Sequence, residues 1–269
     1  MTSKAMERRS RINLKSQFTN GLMPSGKAFS QLIDSMLNIL DEGFDKTPTD
    51  GLKVSQINQG KLISFYQNID IKSPIWSVQL AAKDGALTFG NADRSDAMSL
   101  RQLPNDPAAP ASAPAFELDV AGHLVADGRA GRPGAFPVKA DGGWYDITET
   151  LEGCHALEVV AGVGKRDSGK YALLHAFAIM AFNGKGDIDI RQSYFGSKCN
   201  RLQLQWAPAK DGTRHAYVLQ MRVGCPYDAS RDVDPKSGSK TRVNYTITSL
   251  WFDPRMDDCA PDSESQVQA

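Results

Sequence analysis

The segment Gly164–Lys170 (GKRDSGK) has the glycine and lysine spacing of a loop that cradles phosphate groups, and it follows an apolar run. In such loops the lysine and successive backbone N–H groups bind phosphates, and a Ser or Thr at the next position holds magnesium. Tyr171 stands at that position instead, and residues 171–182 carry aromatic and bulky side chains at both odd and even positions. We therefore interpret Gly164–Lys170 as the polar turn of a hairpin.

Side chains that could hold a metal ion are scattered along the chain. No histidine has a second His or a carboxylate at ligand spacing, and the cysteines form no Cys-x-x-Cys pair. We expect no metal site and no cofactor. The cysteines are interpreted as buried thiols, with the alternative that two of the first three form a disulfide. The residues concerned are His123, His155, His175 and His215, and Cys154, Cys199, Cys225 and Cys259.

Residue arrangements that catalyse hydrolysis are also missing from the sequence. There is no Gly-x-Ser-x-Gly elbow, and no Ser, His and Asp stand out as a triad. The carboxylate pairs Glu149/Glu152 and Asp187/Asp189 lie beside turns, where solvated charges normally sit. We therefore name no catalytic residue and expect a protein that is not an enzyme.

Aromatic and arginine side chains near the C-terminal half are better candidates for recognition, because these residue types dominate binding hot spots. Tyr194, Arg222 and Tyr227 are the predicted ligand-binding residues, together with the polar loop at 228–240. Trp206 is interpreted as a core residue.

The elements that must position these residues are β-strands. Beyond Gly143, alternating apolar runs recur every 10 to 20 residues, and Gly, Asn and Asp clusters separate them. Seven such strands predict an antiparallel sandwich of jelly-roll type over residues 143–254, followed by a flexible tail at 255–269. The runs are 144–147, 156–163, 171–182, 188–195, 202–206, 216–223 and 243–252.

The N-terminal region, residues 1–74, contains the clearest helical pattern, and residues 54–59 before Gly60 suggest a second short helix or a turn. Apolar residues spaced three and four apart predict a helix that starts near Pro24 and Ser25 and stops before Gly43. Four of these residues fit two heptads, which predicts a trimer-forming face; a helix packed on its own domain is the alternative. The face comprises Phe29, Leu32, Met36 and Ile39.

Residues 75–142 predict a shaft-like region of β-hairpins. One hairpin joins alternating runs at 75–80 and 87–89 through Lys83-Asp84-Gly85, and a second joins 116–120 to 123–128. The Pro- and Ala-rich segment 104–115 predicts a linker or loop.

The composition limits the possible partners. The 269 residues carry 31 Lys and Arg against 31 Asp and Glu, so no basic field points to nucleic acid. No apolar run is long enough to cross a membrane, and the first 15 residues lack the apolar core of a secretory signal. We expect a soluble chain made in a cytoplasm, without membrane insertion.

The order of these parts resembles tail-fibre and fibre-like adhesin proteins of phages and phage-like contractile injection systems. Residues 11–35 (RINLKSQFTNGLMPSGKAFSQLIDS) look like the helical motif that opens such proteins, and residues 116–128 (FELDVAGHLVADG) are similar to their shaft repeats. Residues 144–164 and 245–253 look like their terminal β domain.

The resemblance implies a structural and receptor-binding protein, a homotrimer that contacts baseplate-type subunits and a cell-surface glycan or protein. It implies assembly in the cytoplasm into a virion or an extracellular particle. With only one or two shaft-like units, the chain fits an extended fibre or a compact cap. A carbohydrate-binding module or carbohydrate-active enzyme acting alone is the alternative, and a nucleotide-binding enzyme comes third.

Overall fold

The computed structural model describes residues 9–36, 43–56, 60–68, 70–103, 115–210, 214–228 and 240–259. The chain divides into two compact units, Met1–Val125 and Ala126–Ala269. Strands make up 43% of the described residues and helices 10%. This content and the antiparallel sheets confirm the predicted fold class, mainly β with a short N-terminal helical segment.

The first unit has two short helices followed by strands. Ser10 and Ser25 cap the helices, since each side-chain oxygen accepts a hydrogen bond from the backbone N–H three residues on. The elements are α1 (Arg11–Gln17), α2 (Gly26–Asp34), β1 (Phe44–Thr47), β2 (Gly51–Val54), β3 (Ile63–Phe65), β4 (Trp76–Leu80), β5 (Leu87–Asn91), β6 (Met98–Gln102) and β7 (Phe116–Val120).

Helix α2 starts where Pro24 and Ser25 predict and ends earlier than the apolar pattern predicts. The Ser35 hydroxyl donates to the Gln31 carbonyl at 2.6 Å, and the Ser35 N–H bonds to the Leu32 carbonyl. These bonds replace the regular helical bond between Ser35 and Gln31. Met36 therefore lies beyond the helix, and Ile39 falls outside the described residues.

Strands β3 to β7 form one antiparallel sheet in sequence order, and β1 pairs with β2. The predicted hairpin is confirmed: β4 and β5 pair from Trp76↔Asn91 to Leu80↔Leu87. Gly85 in its turn has a φ of +68°, a conformation that glycine adopts without strain.

The second predicted hairpin of this region is wrong. Strand β7 pairs with β6 along its full length, from Met98↔Val120 to Gln102↔Phe116, and residues 121–131 form no strand. Strand β6 offers five alternating residues as a partner, whereas the segment after Gly122 is short and interrupted by glycines. The Leu103 N–H donates to the Ala115 carbonyl at 2.9 Å, so the predicted linker, of which 104–114 lie outside the described residues, connects two paired strands.

The second unit contains the remaining nine strands in two sheets. One sheet has the order β13-β12-β11-β16-β8, with β9 also paired to β16, and the other has the order β10-β15-β14. The strands are β8 (Arg132–Pro133), β9 (Val138–Lys139), β10 (Tyr145–Asp146), β11 (Cys154–Lys165), β12 (Lys170–Ala181), β13 (Asp187–Phe195), β14 (Leu202–Pro208), β15 (Tyr217–Val223) and β16 (Arg242–Ser249).

Each of the seven alternating runs falls on one of the strands β10 to β16. Strands β11 to β13 are consecutive hairpin partners, and β16 returns beside β11 after the β14–β15 hairpin of the other sheet, which is a Greek-key order. Strands β8 and β9 pair with β16, although the predicted terminal domain begins only at residue 143. Strands β8 and β9 have only two residues each, too few to show an alternating pattern in the sequence.

The core of this unit lies between its two sheets. Val159 and Leu174 of the larger sheet and Leu219 and Met221 of the smaller one belong to one buried cluster, which confirms a sandwich. Cys199 and Cys225 form a disulfide, one of the alternatives left open by the sequence. Cys154 is a buried thiol, and Cys259 is an exposed one.

Within the described ranges, no helix combines the length and the apolar character that a membrane crossing requires.

Candidate functional site

The smaller sheet turns a polar face to solvent. Along β14, Leu202 and Leu204 are buried in the core, while Gln203 and Gln205 alternate with them and point outward. Strand β15 places Arg222 opposite Gln203 and Gln220 opposite Gln205. The alternation therefore assembles amide and guanidinium groups on one surface.

Hydrogen bonds cross this face from strand to strand. The Gln205 amide donates to the Gln220 side chain at 2.8 Å, and Gln220 donates to Asp146 at 2.7 Å. Lys210 donates to the other oxygen of Asp146 at 2.9 Å. The bond from Gln220 and the charge and bond of Lys210 lower the pKa of Asp146, against a smaller effect of burial. Asp146 is thus a fixed acceptor that is already engaged.

An aromatic side chain borders the polar ladder. The Arg222 guanidinium carbon lies 4.4 Å from the centroid of the Trp144 ring, and its Nε donates to Gln203 Oε1 at 2.7 Å. A guanidinium stacked on an indole ring is a favourable cation–π contact. Trp144 is partly exposed, so its ring remains available at the surface.

These residues adjoin an open groove of about 340 Å³ at the junction of the two sheets. The Gln192 side chain closes the junction: its amide donates to the Leu202 carbonyl at 3.2 Å, and its oxygen accepts from the Leu202 N–H at 3.1 Å. Gln192 thereby imitates a β-bridge between the edges of β13 and β14. The lining residues are Trp144, Ile190, Gln192, Arg201, Leu202, Gln203, Leu204 and Gln205.

Two of the three predicted ligand-binding residues contact residues that line this groove but do not line it themselves, and Tyr194 also packs against the core. Tyr194 lies under Arg201, whose guanidinium carbon is 4.7 Å from the ring centroid, and Arg222 lies on Trp144. Trp144, Arg201 and the outward glutamines belong to the site but were not predicted from residue type. The strict Leu-Gln-Leu-Gln alternation at 202–205 is the signal that could have found the glutamines.

The third predicted residue, Tyr227, is a core residue and cannot contact a ligand in this structure. Its side chain is 2% exposed, and its hydroxyl donates to the Asn200 carbonyl at 2.8 Å. Burial raises its pKa to about 12. The prediction rested on the neighbouring polar loop, but the ring packs between the sheets. Of that loop, residues 229–239 lie outside the described part of the chain.

The larger sheet turns to solvent an apolar face that runs along β12. Charged and polar outward residues of β13 (Asp187, Asp189, Arg191, Ser193) and of β16 (Asn244, Thr246, Thr248) flank it. On β12, alanines and Leu174 face the core, while the other parity presents large side chains outward. The even positions of β12 therefore hold alanines beside Leu174 and Met180, whereas the large outward side chains lie at odd positions. The exposed apolar residues of this face, with their exposed fractions, are Tyr171 (44%), Leu173 (60%), Phe177 (40%), Ile179 (56%), Val160 (42%) and Phe195 (67%).

A carboxylate lies in the middle of this apolar face. Glu158 is 7% exposed and accepts hydrogen bonds from His175 Nε2 and from Arg129, both at 2.8 Å. The two donors compensate a charge that would be costly to bury alone. No group of three His, Cys, Asp or Glu side chains among the described residues is placed to hold a metal ion.

The segment with phosphate-loop spacing is a hairpin turn, as expected. Lys165 pairs with Lys170 across β11 and β12. The Lys165 ammonium binds the buried Asp228 at 3.1 Å, and the Lys170 ammonium donates to the Pro226 carbonyl at 2.7 Å. Both lysines therefore hold the sandwich together.

The N-terminal helical segment leaves most of its apolar side chains exposed. Among described residues 9–36, only Leu14 and Ala28 are buried apolar side chains. In the predicted trimer face, Phe29 is 50% and Met36 55% exposed, and Phe29 meets Phe18 edge-on at 5.3 Å between ring centroids. Leu32 is half-buried.

Comparison with known proteins identifies no relative: no protein-family model, no curated protein and no solved structure matches the chain.

Proposed function

We propose that the chain is a non-enzymatic attachment protein of a phage-like contractile particle. Its N-terminal helical region docks onto baseplate-type subunits, it assembles as a homotrimer, and its sandwich binds a cell-surface ligand. One observation carries the proposal: a single sandwich exposes large apolar side chains along β12 on one outer face, and a polar, aromatic surface on the other. Such a pair of faces suits a protein that must both assemble and bind.

The apolar face fits a second copy of the same chain. Its six exposed apolar side chains offer roughly 600 Å², taking about 200 Å² for a full large side chain. This area matches the largest patches of monomeric proteins, and the rest of the sheet face brings it near the roughly 800 Å² per partner of a stable interface. In a trimer with closed cyclic symmetry, the apolar face of every chain would be covered by its neighbours.

The N-terminal helices add a second argument for assembly. A segment that buries only Leu14 and Ala28 among its apolar side chains lacks a core of its own, since two short helices are marginal in water. Packing of Phe29 and Met36 against neighbouring chains or particle subunits would supply the missing burial.

The polar face fits a ligand rich in hydroxyl groups. Trp144 offers an aromatic surface on which the C–H face of a sugar ring can pack, and the glutamine amides offer both donors and acceptors. The same groove favours the second candidate function, a carbohydrate-binding module acting alone. The two candidates differ in assembly, because the module requires no partner on the apolar face.

A glycan array tests the binding half of the proposal. The full-length chain is expected to bind a subset of glycans, and Trp144→Ala is expected to abolish this binding. Trp251→Ala is the matched control, because Trp251 is 39% exposed and lies outside the groove. Absence of binding to every glycan and to whole cells, or release of sugars from a bound glycan, would overturn the proposal.

A further inference from the structure

We infer that the groove beside Trp144 binds an acidic saccharide, a sugar whose ring carries a carboxylate. The inference rests on the proposed binding function and specifies the ligand of that same site. It is carried by Arg201, a cation in the groove whose charge has no acceptor or carboxylate partner among the described residues.

The Arg201 side chain makes no hydrogen bond or ion pair with any residue in the described ranges. Its Nε is buried and has no acceptor there, and its one contact of note is the ring of Tyr194. A buried donor without an acceptor is rare in folded proteins and needs an explanation. An anion in the groove would compensate the guanidinium charge.

The groove is electrostatically suited to an anion. Its lining contains Arg201 and no carboxylate, and Arg222 lies next to it on Trp144. Asp146, on the same sheet face, is engaged by Gln220 and Lys210. The groove therefore carries a net positive charge among its described side chains.

The geometry favours a carboxylate. Stacking on Tyr194 at 4.7 Å fixes the plane of the Arg201 guanidinium, which reduces the entropy lost when it binds a ligand. A fixed guanidinium presents parallel N–H groups that match the two oxygens of a carboxylate.

The remaining polar atoms favour a sugar as the carrier of that carboxylate. The amide nitrogen of Gln203 and the side-chain oxygen of Gln205 have no partner among the described residues, because Gln203 uses its oxygen for Arg222 and Gln205 uses its nitrogen for Gln220. These two side chains are neighbours on the outer side of β14. Together they offer one free donor and one free acceptor, which a sugar hydroxyl can satisfy at once.

The test compares acidic sugars with their neutral esters. A panel of uronate and other carboxylated oligosaccharides, each paired with its methyl ester, is titrated calorimetrically into the full-length chain. At least one acid is expected to bind, and its ester, which lacks the charge, to bind about tenfold more weakly or worse. Arg201→Gln is expected to remove the difference between acid and ester.

Arg166→Gln is the matched control, since the Arg166 side chain in the turn between β11 and β12 is 95% exposed and does not line the groove. This variant is expected to bind like the wild type, and circular dichroism checks that both variants fold. Equal binding of acids and esters, or binding of sulfated sugars alone, would overturn the inference, while the proposed function would stand if Trp144→Ala abolished that binding. If the wild-type chain bound no glycan and no cells, the proposed function would be overturned instead.

Discussion

Leu173 and Leu174 are neighbours on β12 and lie in opposite environments: Leu174 is fully buried in the sandwich core, whereas Leu173 is 60% exposed on the outer face of the sheet. A strand that is apolar on both sides normally has both faces covered. Among the described residues of its unit, none covers the second face of β12, which is the physical basis for proposing assembly.

Leu173→Glu is expected to dissociate the proposed homotrimer without unfolding the chain. A carboxylate on this face would have to be desolvated in the interface, while it remains solvated in a monomer. Sedimentation velocity is expected to show a smaller species than for the wild type. Leu124→Glu, at a leucine that is 80% exposed in the other unit, is expected to leave the sedimentation coefficient unchanged, and an equal shift in both variants would count against the proposed face.

The disulfide between Cys199 and Cys225 is expected to stabilise the sandwich. It closes a loop with a sequence separation of 26, which restricts the unfolded chain and is worth about 3 kcal/mol in the chain-entropy model. The double variant Cys199→Ser with Cys225→Ser is expected to lower the free energy of unfolding by about that amount, measured by urea denaturation. Cys259→Ser, at an exposed free thiol, is the control; a double variant as stable as this control would contradict the prediction.

Asp228 is expected to be the most sensitive polar residue of the sandwich. Its side chain is 3% exposed and accepts bonds from Lys165, from the backbone of Lys240 and from the backbone and hydroxyl of Thr241. Asp228→Asn removes the charge that these donors stabilise and is expected to lower the free energy of unfolding by about 2–3 kcal/mol.

The control for this variant is Asp167→Asn, because the Asp167 side chain in the nearby turn is 92% exposed. Its effect on thermal unfolding is expected to stay within about 0.5 kcal/mol. Equal melting temperatures for the two variants would show that the Asp228 cluster contributes no specific stability.

Buried tyrosines predict a loss of stability at alkaline pH. Burial raises the pKa of Tyr227 to about 12 and, together with the Asp141 carboxylate, raises that of Tyr145 to about 12. Burial also raises the pKa values of Tyr217 and Tyr245. Between their unfolded value of about 10 and the raised values, the folded chain holds protons that the unfolded chain releases, so the free energy of unfolding falls as pH rises.

Urea denaturation at a series of pH values above about 9 measures this fall. In Tyr227→Phe one titrating group is absent from both states, so the slope of stability against pH is expected to be shallower than in the wild type. A stability that stays constant or rises through this range would contradict the assigned burial.

The sequence predicts the sandwich better than the surfaces on it. Alternation locates strands β11 to β16 because one parity of each faces the core, as Leu202 and Leu204 illustrate. Where no distinctive turn joins two strands, the local sequence does not show which strands pair. The pairing of β7 with β6, and not with the segment that follows β7, could therefore not be predicted. Tyr227 shows a second limit. It follows a strand and precedes a polar loop, but its ring points into the core, and the sequence alone does not show this direction.

The candidate site shows the same division. Tyr194 and Arg222 follow from residue type alone, but their partners Arg201 and Trp144 become visible only when strands and loops from different parts of the chain meet. The groove itself depends on Gln192 joining the edges of two sheets. No spacing along the sequence expresses such a contact.

Light scattering of the full-length chain after size-exclusion chromatography tests the central claim most directly. The chain mass is 29.3 kDa, and the account predicts a discrete species of three chains, with the apolar face of β12 covered. A strictly monomeric chain at micromolar concentration would contradict the account, because the face around Leu173 would then remain open to water.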